Sequence, residues 1–332
     1  MTPPILLAVP NVSEGRDADT IAAIGAAFAN GAPPVDASPG GAAPDGGASD
    51  ATPDGVRVLD VHSDPDHNRT VFTLAGHPRA LVDALVRGAR ASVERIDVMG
   101  PAGDGAAGAG VHPHVGALDV APIVYLDPRD RGAACAAALV LGDRIAEELG
   151  VPVFVYGELS GADPGSARTR AQLRRGGVAG LAARMAAGEE RMAPDFGAPR
   201  MHPSAGATLV AARPPLVAFN LQLAPPASVE DARAIAALIR DGGRDGLPGL
   251  RALGLELGGG IVQLSMNVER PLELPLARIV DAVRAHADLI GAELVGLAPA
   301  SAFTGFPNDV PIPGFDPERH LIENALDDHL GC

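Results

Sequence analysis

The stretch Leu250-Arg251-Ala252-Leu253-Gly254-Leu255-Glu256-Leu257-Gly258-Gly259-Gly260-Ile261-Val262-Gln263-Leu264-Ser265-Met266-Asn267 decides the fold. Two runs of strand length, Leu250–Leu257 and Ile261–Asn267, flank three consecutive glycines. Glycine enters the left-handed backbone region without steric cost, so the triplet predicts a tight turn and a β-hairpin. Upstream, the pattern predicts a strand at Leu216–Leu223 and a helix at Ser228–Arg240, with Ser228 as a good N-cap. Downstream, it predicts a helix over Pro275–Ile290, opened by Pro275, and a strand at Ala292–Leu297. The resulting order is β-α-β-β-α-β. That split βαβ pattern gives a mixed or antiparallel sheet with its helices on one face.

The first half follows the same scheme. Strand Ile5–Val9 and helix Asp17–Ala29 precede strands Val56–Val61 and Thr70–Leu74, then helix Pro78–Ile96 and strand Ala117–Leu126. A further helix, Asp130–Leu149, and strand, Val151–Tyr156, follow. Pro78 suits the first helical turn, where its missing N–H costs nothing. Residues 160–212 read as loop-rich and carry Arg168, Arg170, Arg174, Arg175, Arg200 and His202. Such a cluster is either a solvated face or a grip on a carboxylated ligand. Residues 30–55 and Ala102–Gly110 are Gly-, Ala- and Pro-rich and are expected to be flexible surface segments. The expectation is an α/β (α+β) fold of two facing split-βαβ subdomains, residues 1–212 and 213–300, with a ligand cleft between them. Residues 301–332 form a C-terminal tail with a short helix.

Composition narrows the function. The chain has 332 residues, 47% of them hydrophobic, and a net charge of −15. That acidic balance argues against nucleic acid as a partner, because phosphate neutralisation needs clustered basic residues. No apolar run approaches the ~18 residues that span a bilayer, and the first residues do not form a signal peptide. A cytoplasmic protein is expected. Cys135 and Cys332 are too far apart in sequence for metal-ligand spacing, and Cys135, in an alanine-rich helical run, reads as a small core residue. The chain contains no lysine. Schiff-base chemistry and a Walker-type phosphate lysine are therefore excluded, and anions must be held by arginine, histidine or backbone N–H groups.

Five of the nine histidines lie between His62 and His114. Histidine titrates near neutrality, so this clustering is the first sign of a site. Three segments carry the polar groups. Asn11 and Ser13 close the first strand, where capping of the following helix is the plain alternative. Asp60, His62, Asp64, His67, Asn68 and Arg69 surround a hairpin turn and exceed what a turn requires. Val111-His112-Pro113-His114-Val115-Gly116 leads into the apolar run that follows. Two mechanisms fit these residues: His112 as a general base oriented by a carboxylate, or His62, Asp64, His67, His112 and His114 around a divalent metal in a hydrolase. The sequence contains no HxxxH or HExxH pair that would support the second.

The phrases VPNVSEGRD, LDVHSDPDHNRTVFTLAG, HPHVGALDV, EELGVPVFVYGE, APDFG, LVAFNLQL, LPGLRALGLEL, VQLSMN and ELVGLAP occur in order from Ala8 to about Pro299. In order and spacing they resemble the glutamate formiminotransferases, and the tail from Phe315 to Glu323 resembles the end of the longer members. The resemblance implies transfer of the formimino group of N-formimino-L-glutamate to N5 of tetrahydrofolate, as in histidine degradation. It implies tetrahydrofolate as co-substrate, no metal, two α/β subdomains with folate between them, and a homodimer. The family's catalytic histidine falls on His112. Its folate-binding stretch falls on Gly197 to Gly206, including His202, Pro203 and Ser204. Asp60 and Asp64 are the carboxylates expected beside the base, and Asn11, Ser13, Asn68, Arg69 and Gly116 are expected to bind substrate or folate. Two positions depart from the family pattern: His114 stands where an arginine is common, and His62 replaces the second aspartate of an Asp-x-Asp pair. The related activities this leaves open are formyl transfer from N-formylglutamate and folate binding without catalysis. The length leaves no room for the deaminase domain of the bifunctional form.

Overall fold

A computed structural model describes residues 3–29, 55–100, 113–161 and 167–327. The expected surface segments at 30–55 (apart from Gly55) and Ala102–Gly110 lie outside the described residues, as does His112. The chain forms two compact units that divide at Pro214 and Pro215.

The first unit contains β1 (Leu6–Ala8), β2 (Asn11–Val12), α1 (Ala18–Phe28), β3 (Arg57–Asp64), β4 (Arg69–Gly76), α2 (Pro78–Arg95), β5 (Leu118–Val124), α3 (Arg131–Leu149), β6 (Val153–Val155), α4 (Arg170–Arg174), α5 (Gly177–Ala186) and β7 (Thr208–Arg213). β1 and β2 share one strand position, since both pair with β4 on one side and β5 on the other. The break falls at Val9-Pro10, where proline has no N–H to give to the ladder. β3, β4, β1/β2 and β5 are mutually antiparallel and form the expected split βαβ arrangement. β7 and β6 then extend the sheet beyond β5 in parallel.

β7 corrects the reading of residues 160–212 as loop-rich, as do α4 and α5. The strand inserts between β5 and β6, and its side chains alternate between two cores. Val210 and Ala212 join the cluster that contains Leu141 and Ile145 of α3, whereas Leu209 and Ala211 join Leu173, Leu181 and Phe154. A strand covered on both faces reads as an unbroken apolar run, without the period-two signal of a half-buried strand. Burial of each large apolar side chain contributes roughly 1.5–3 kcal/mol, so two cores hold this half of the sheet.

In the second unit, β8 (Val217–Leu223), α6 (Val229–Ile239), β9 (Leu250–Leu257), β10 (Ile261–Val268), α7 (Leu276–Arg284) and β11 (Leu289–Val295) follow the predicted order. The antiparallel sheet runs β11-β8-β10-β9. Gly259 and Gly260 turn the hairpin at φ 73° and 76°. Ser228 caps α6 in a capping box with Asp231. α7 ends at Arg284, short of the predicted end at Ile290, because Leu289 and Ile290 already belong to β11. Phe219 of β8 packs against Phe306, with ring centroids 5.9 Å apart, and Phe303 joins Phe306 to Phe315. α8 (Pro317–His320) and α9 (Ile322–Asp327) complete the unit.

Alternation along this sheet separates two chemistries. Phe219, Leu221, Leu264, Met266, Ala292 and Leu294 face α6 and α7 in one apolar core. The opposite face carries Asn220, Gln222, Gln263, Ser265 and Asn267 on its two central strands. Among the described residues, no helix is long and apolar enough to cross a membrane.

Candidate functional site

Residues 11–16 link the expected site residues of the first unit. Asn11 is buried in β2, paired with Val71 and Val120. Ser13 is buried too, and its hydroxyl donates to the Gly116 carbonyl at 2.7 Å while its N–H donates to Ala117 O. The alternative role as helix cap belongs to neither residue: Asp17 caps α1, accepting from the N–H groups of Asp19 and Thr20. Two residues after Ser13, Gly15 N donates to Asn68 Oδ1 at 3.1 Å. A Cβ on Gly15 would overlap the Asp64 carbonyl, so this strand-to-helix turn sits directly on the β3–β4 hairpin.

In that hairpin, Asp64 Oδ1 accepts from the N–H groups of Asp66 and His67 at 2.8 and 2.9 Å, and its Oδ2 is hydrogen bonded to His67 Nδ1. Burial alone would raise the Asp64 pKa, but the His67 imidazole and the two N–H groups outweigh it and hold the carboxyl at about 2. Asn68 takes φ 45°, a left-handed conformation that asparagine tolerates better than most residues. Arg69 then starts β4, half-buried, with no hydrogen bond or ion pair to its guanidinium among the described residues. Burial lowers its pKa to about 10, with the positive charges of Arg174 and Arg170 acting in the same direction against Asp119 and Asp64. It remains a cation at neutral pH and suits an anionic group. Asp60 lies half-buried on β3, opposite Thr73, and His62 opposite Val71.

Gly116 joins Gly206 in an isolated antiparallel bridge. A Cβ on Gly116 would overlap the Ala207 carbonyl, and one on Gly206, which takes φ 72°, would overlap Val115 O. His202 and Gly206 exchange both backbone hydrogen bonds, and His202 Nδ1 accepts from Ala205 N at 3.0 Å. Burial lowers the His202 pKa, in keeping with a neutral ring that accepts at Nδ1. Pro203 is exposed at this turn, and the Ser204 carbonyl accepts from Val98 N. Ser13, through its hydroxyl, and Gly116, His202 and Gly206, through their backbones, thus converge, with Ser204 in the same turn. Gly197 does not share them; it packs on Ala146 and Pro152, beside the start of β6.

His112, the expected base, lies outside the described residues, and His114 is half-buried. The residues just after them are fixed by a pair that sequence reasoning missed. Asp119, on β5, accepts from Val115 N at 2.8 Å through Oδ1 and pairs with Arg174 of α4 through Oδ2. Both side chains are buried, at 1% and 4% exposure. A lone carboxylate inside an apolar strand was the available signal, since a buried charge requires a partner. Arg168 is likewise committed to Asp195, so neither arginine offers a free grip on a ligand. Among the described residues, no three His, Cys, Asp or Glu side chains are grouped to hold a metal ion.

Residues 5–213 match the formiminotransferase domain, N-terminal subdomain. The chain is 34% identical over 279 residues to a glutamate formimidoyltransferase of Streptococcus pyogenes serotype M1, an alignment covering 82% of this chain and 89% of that one. It is 33% identical over 328 residues to a glutamate formimidoyltransferase of Thermoplasma acidophilum, covering 96% of each. It is also 33% identical over 305 residues to a formimidoyltransferase-cyclodeaminase of Gallus gallus, covering 89% of this chain and 50% of that protein. With a family match over more than half its length and relatives this similar across both units, the chain belongs to the formiminotransferase family.

Proposed function

We propose that this chain is a glutamate formimidoyltransferase: it moves the formimino group of N-formimino-L-glutamate to N5 of tetrahydrofolate, leaving L-glutamate. The observation that carries the reading is the similarity to a glutamate formimidoyltransferase over 96% of both chains. When bound, tetrahydrofolate supplies N5 as the nucleophile toward the amidine-like carbon of the donor. His112 accepts the N5 proton as the new C–N bond forms and returns it to the glutamate nitrogen as the old C–N bond breaks. A neutral imidazole has the right basicity for both transfers, worth about 10²–10⁴ in rate. The reading is supported by the anchoring of the segment after His112, since the Val115 N–H is held by Asp119 and Gly116 is clasped by Ser13 and Gly206.

Asp60 is the carboxylate assigned to orient His112. Asp64 acts through His67, fixing the turn that presents Asn68 and Arg69, and Arg69 receives a substrate carboxylate. Asn11, Ser13, Gly116, Gly197, His202, Pro203, Ser204 and Gly206 complete the binding residues. The reading includes a homodimer in the cytoplasm, with these two small molecules as its partners and no metal, nucleic acid or membrane.

Transfer is followed by the absorbance of the folate product. His112→Ala is expected to lower kcat about 10²–10⁴-fold with KM values changed little. Full activity in His112→Ala removes the base from the mechanism. Faster transfer from N-formylglutamate than from the formimino donor overturns the donor, and activity lost to a chelator and restored by a divalent metal overturns the metal-free chemistry.

A further inference from the structure

One face of the first sheet gathers three arginines. β4 alternates between two faces: Phe72 and Leu74 enter the core beneath α1 and α2, which places Arg69 and Val71 on the other face. Val71, Asn11, Val120 and Leu209 form one row across that face, and Leu173 of α4 joins Val120 and Leu209 in a single apolar cluster. α4 therefore lies on the same side of the sheet as Arg69. Arg170 and Arg174 are four residues apart and share one side of α4, which the Arg174–Asp119 pair turns toward β5. The positive charges of Arg174 and Arg170 help to lower the Arg69 pKa, as expected of guanidinium groups in one neighbourhood.

The two carboxylates that oppose these charges at Arg69, Asp119 and Asp64, are already engaged at both oxygens. Asp119 accepts from Val115 N and pairs with Arg174, and Asp64 accepts from two backbone N–H groups and is bonded to His67. Arg69 and Arg170 are half-buried, so both remain within reach of a ligand. The Arg69 guanidinium, without a bonded partner among the described residues, is desolvated in part and uncompensated, which an incoming anion would relieve. Arginine meets a carboxylate through paired N–H groups, the strongest of such contacts. Through Val115 N, Asp119 also anchors the segment that begins three residues after His112 in sequence. The formimino donor carries its carboxylates a few bonds from the reacting nitrogen, whereas those of folate lie beyond its aminobenzoyl ring. We propose that Arg69 and Arg170 together hold one carboxylate of formiminoglutamate and so select the donor. This assignment rests on the formimidoyltransferase reading above; it adds Arg170 to the binding residues and gives the Arg69 contact to the donor.

The test measures KM for each substrate separately in Arg69→Gln and Arg170→Gln, with formiminoglutamate binding followed in parallel by calorimetry. Each substitution is expected to raise KM for formiminoglutamate about tenfold or more, with KM for tetrahydrofolate within about twofold and kcat within about threefold of wild type. Because Arg69→Gln removes an uncompensated cation from beside two others, its Tm should hold or rise, whereas a merely structural arginine would lower it. Arg69→Lys should recover part of the donor affinity, since it keeps the charge and loses the paired N–H groups. Unchanged KM for formiminoglutamate in either variant overturns the proposal. A rise confined to tetrahydrofolate also overturns it and gives the arginines to the folate tail. Should Arg69→Gln fail to fold, Arg170→Gln decides in the same assay: weaker donor binding supports the proposal and unchanged binding overturns it. A wild type that binds formiminoglutamate more tightly than both variants but transfers no formimino group refutes the enzymatic reading alone. Normal transfer by wild type, with normal donor KM in both variants, refutes the arginine assignment alone.

Discussion

Asp119→Asn should destabilise the first unit by about 3–5 kcal/mol, the usual consequence of removing one partner from a buried ion pair. Asparagine keeps the acceptor for Val115 N–H, so the loss isolates the charge. The Arg174 guanidinium, 4% exposed and already without a partner at Nε among the described residues, then loses its counter-charge. For a unit of this size each kcal/mol lowers Tm by roughly 2–4 °C, which predicts a fall of roughly 6–20 °C. Arg174→Met should cost a similar amount by stranding the carboxylate. Asp119→Asn combined with Arg174→Met leaves no unpaired charge and should recover most of the loss, ending within about 1–2 kcal/mol of wild type. Urea unfolding followed by circular dichroism supplies the four stabilities of the double-mutant cycle. If each single substitution costs less than about 1 kcal/mol and the two costs add, the pair is not the buried, coupled interaction described here.

Two other perturbations report on the same region. Gly116→Ala drives a Cβ into the Ala207 carbonyl, a backbone atom that cannot swing aside, and should cost about 3 kcal/mol or more in thermal unfolding; a near-neutral effect would contradict the Gly116–Gly206 contact. Asp64 has a folded pKa of about 2, below the ordinary 3.8, so the unfolded chain binds more protons between those values. Its contribution, about 2 kcal/mol, is complete above about pH 4 and disappears as the pH falls toward 2. Asp64→Asn should therefore lower stability at pH 7 and flatten the acid limb, and an unaltered acid limb would show that the carboxyl is not held by His67.

The hairpin at Gly258–Gly260, the cap Ser228 and the first-turn proline Pro78 made the split βαβ order legible, because turns and helix starts are dictated by local chemistry. β7 was not legible. Thr208–Arg213 is short, follows a turn built on Gly206, and is buried on both faces, so it lacks the alternation that marks a half-buried strand. The end of α7 was misplaced because apolar residues continue past Arg284, and only pairing with β8 shows that Leu289 and Ile290 are strand. At the candidate site, motif phrases located Ser13, Gly116 and Gly206 without showing that they touch. Arg168 and Arg174 looked like ligand-binding cations for the same reason: their partners, Asp195 and Asp119, are 27 and 55 positions away in sequence.

The position of β7 also bears on how the protein is made. It comes last in the first unit yet fills the gap between two strands synthesised well before it. During translation, β5 and β6 must wait for Thr208–Arg213 to leave the ribosome, on the order of ten seconds at ordinary elongation rates. Until then β5 keeps an unpaired edge and β6 has no partner strand in the sheet, the feature by which nascent chains recruit one another. Quality control of this protein should therefore concentrate on one brief window of its synthesis, and a chain stopped just short of Thr208 should aggregate where one stopped just after Arg213 stays dispersed.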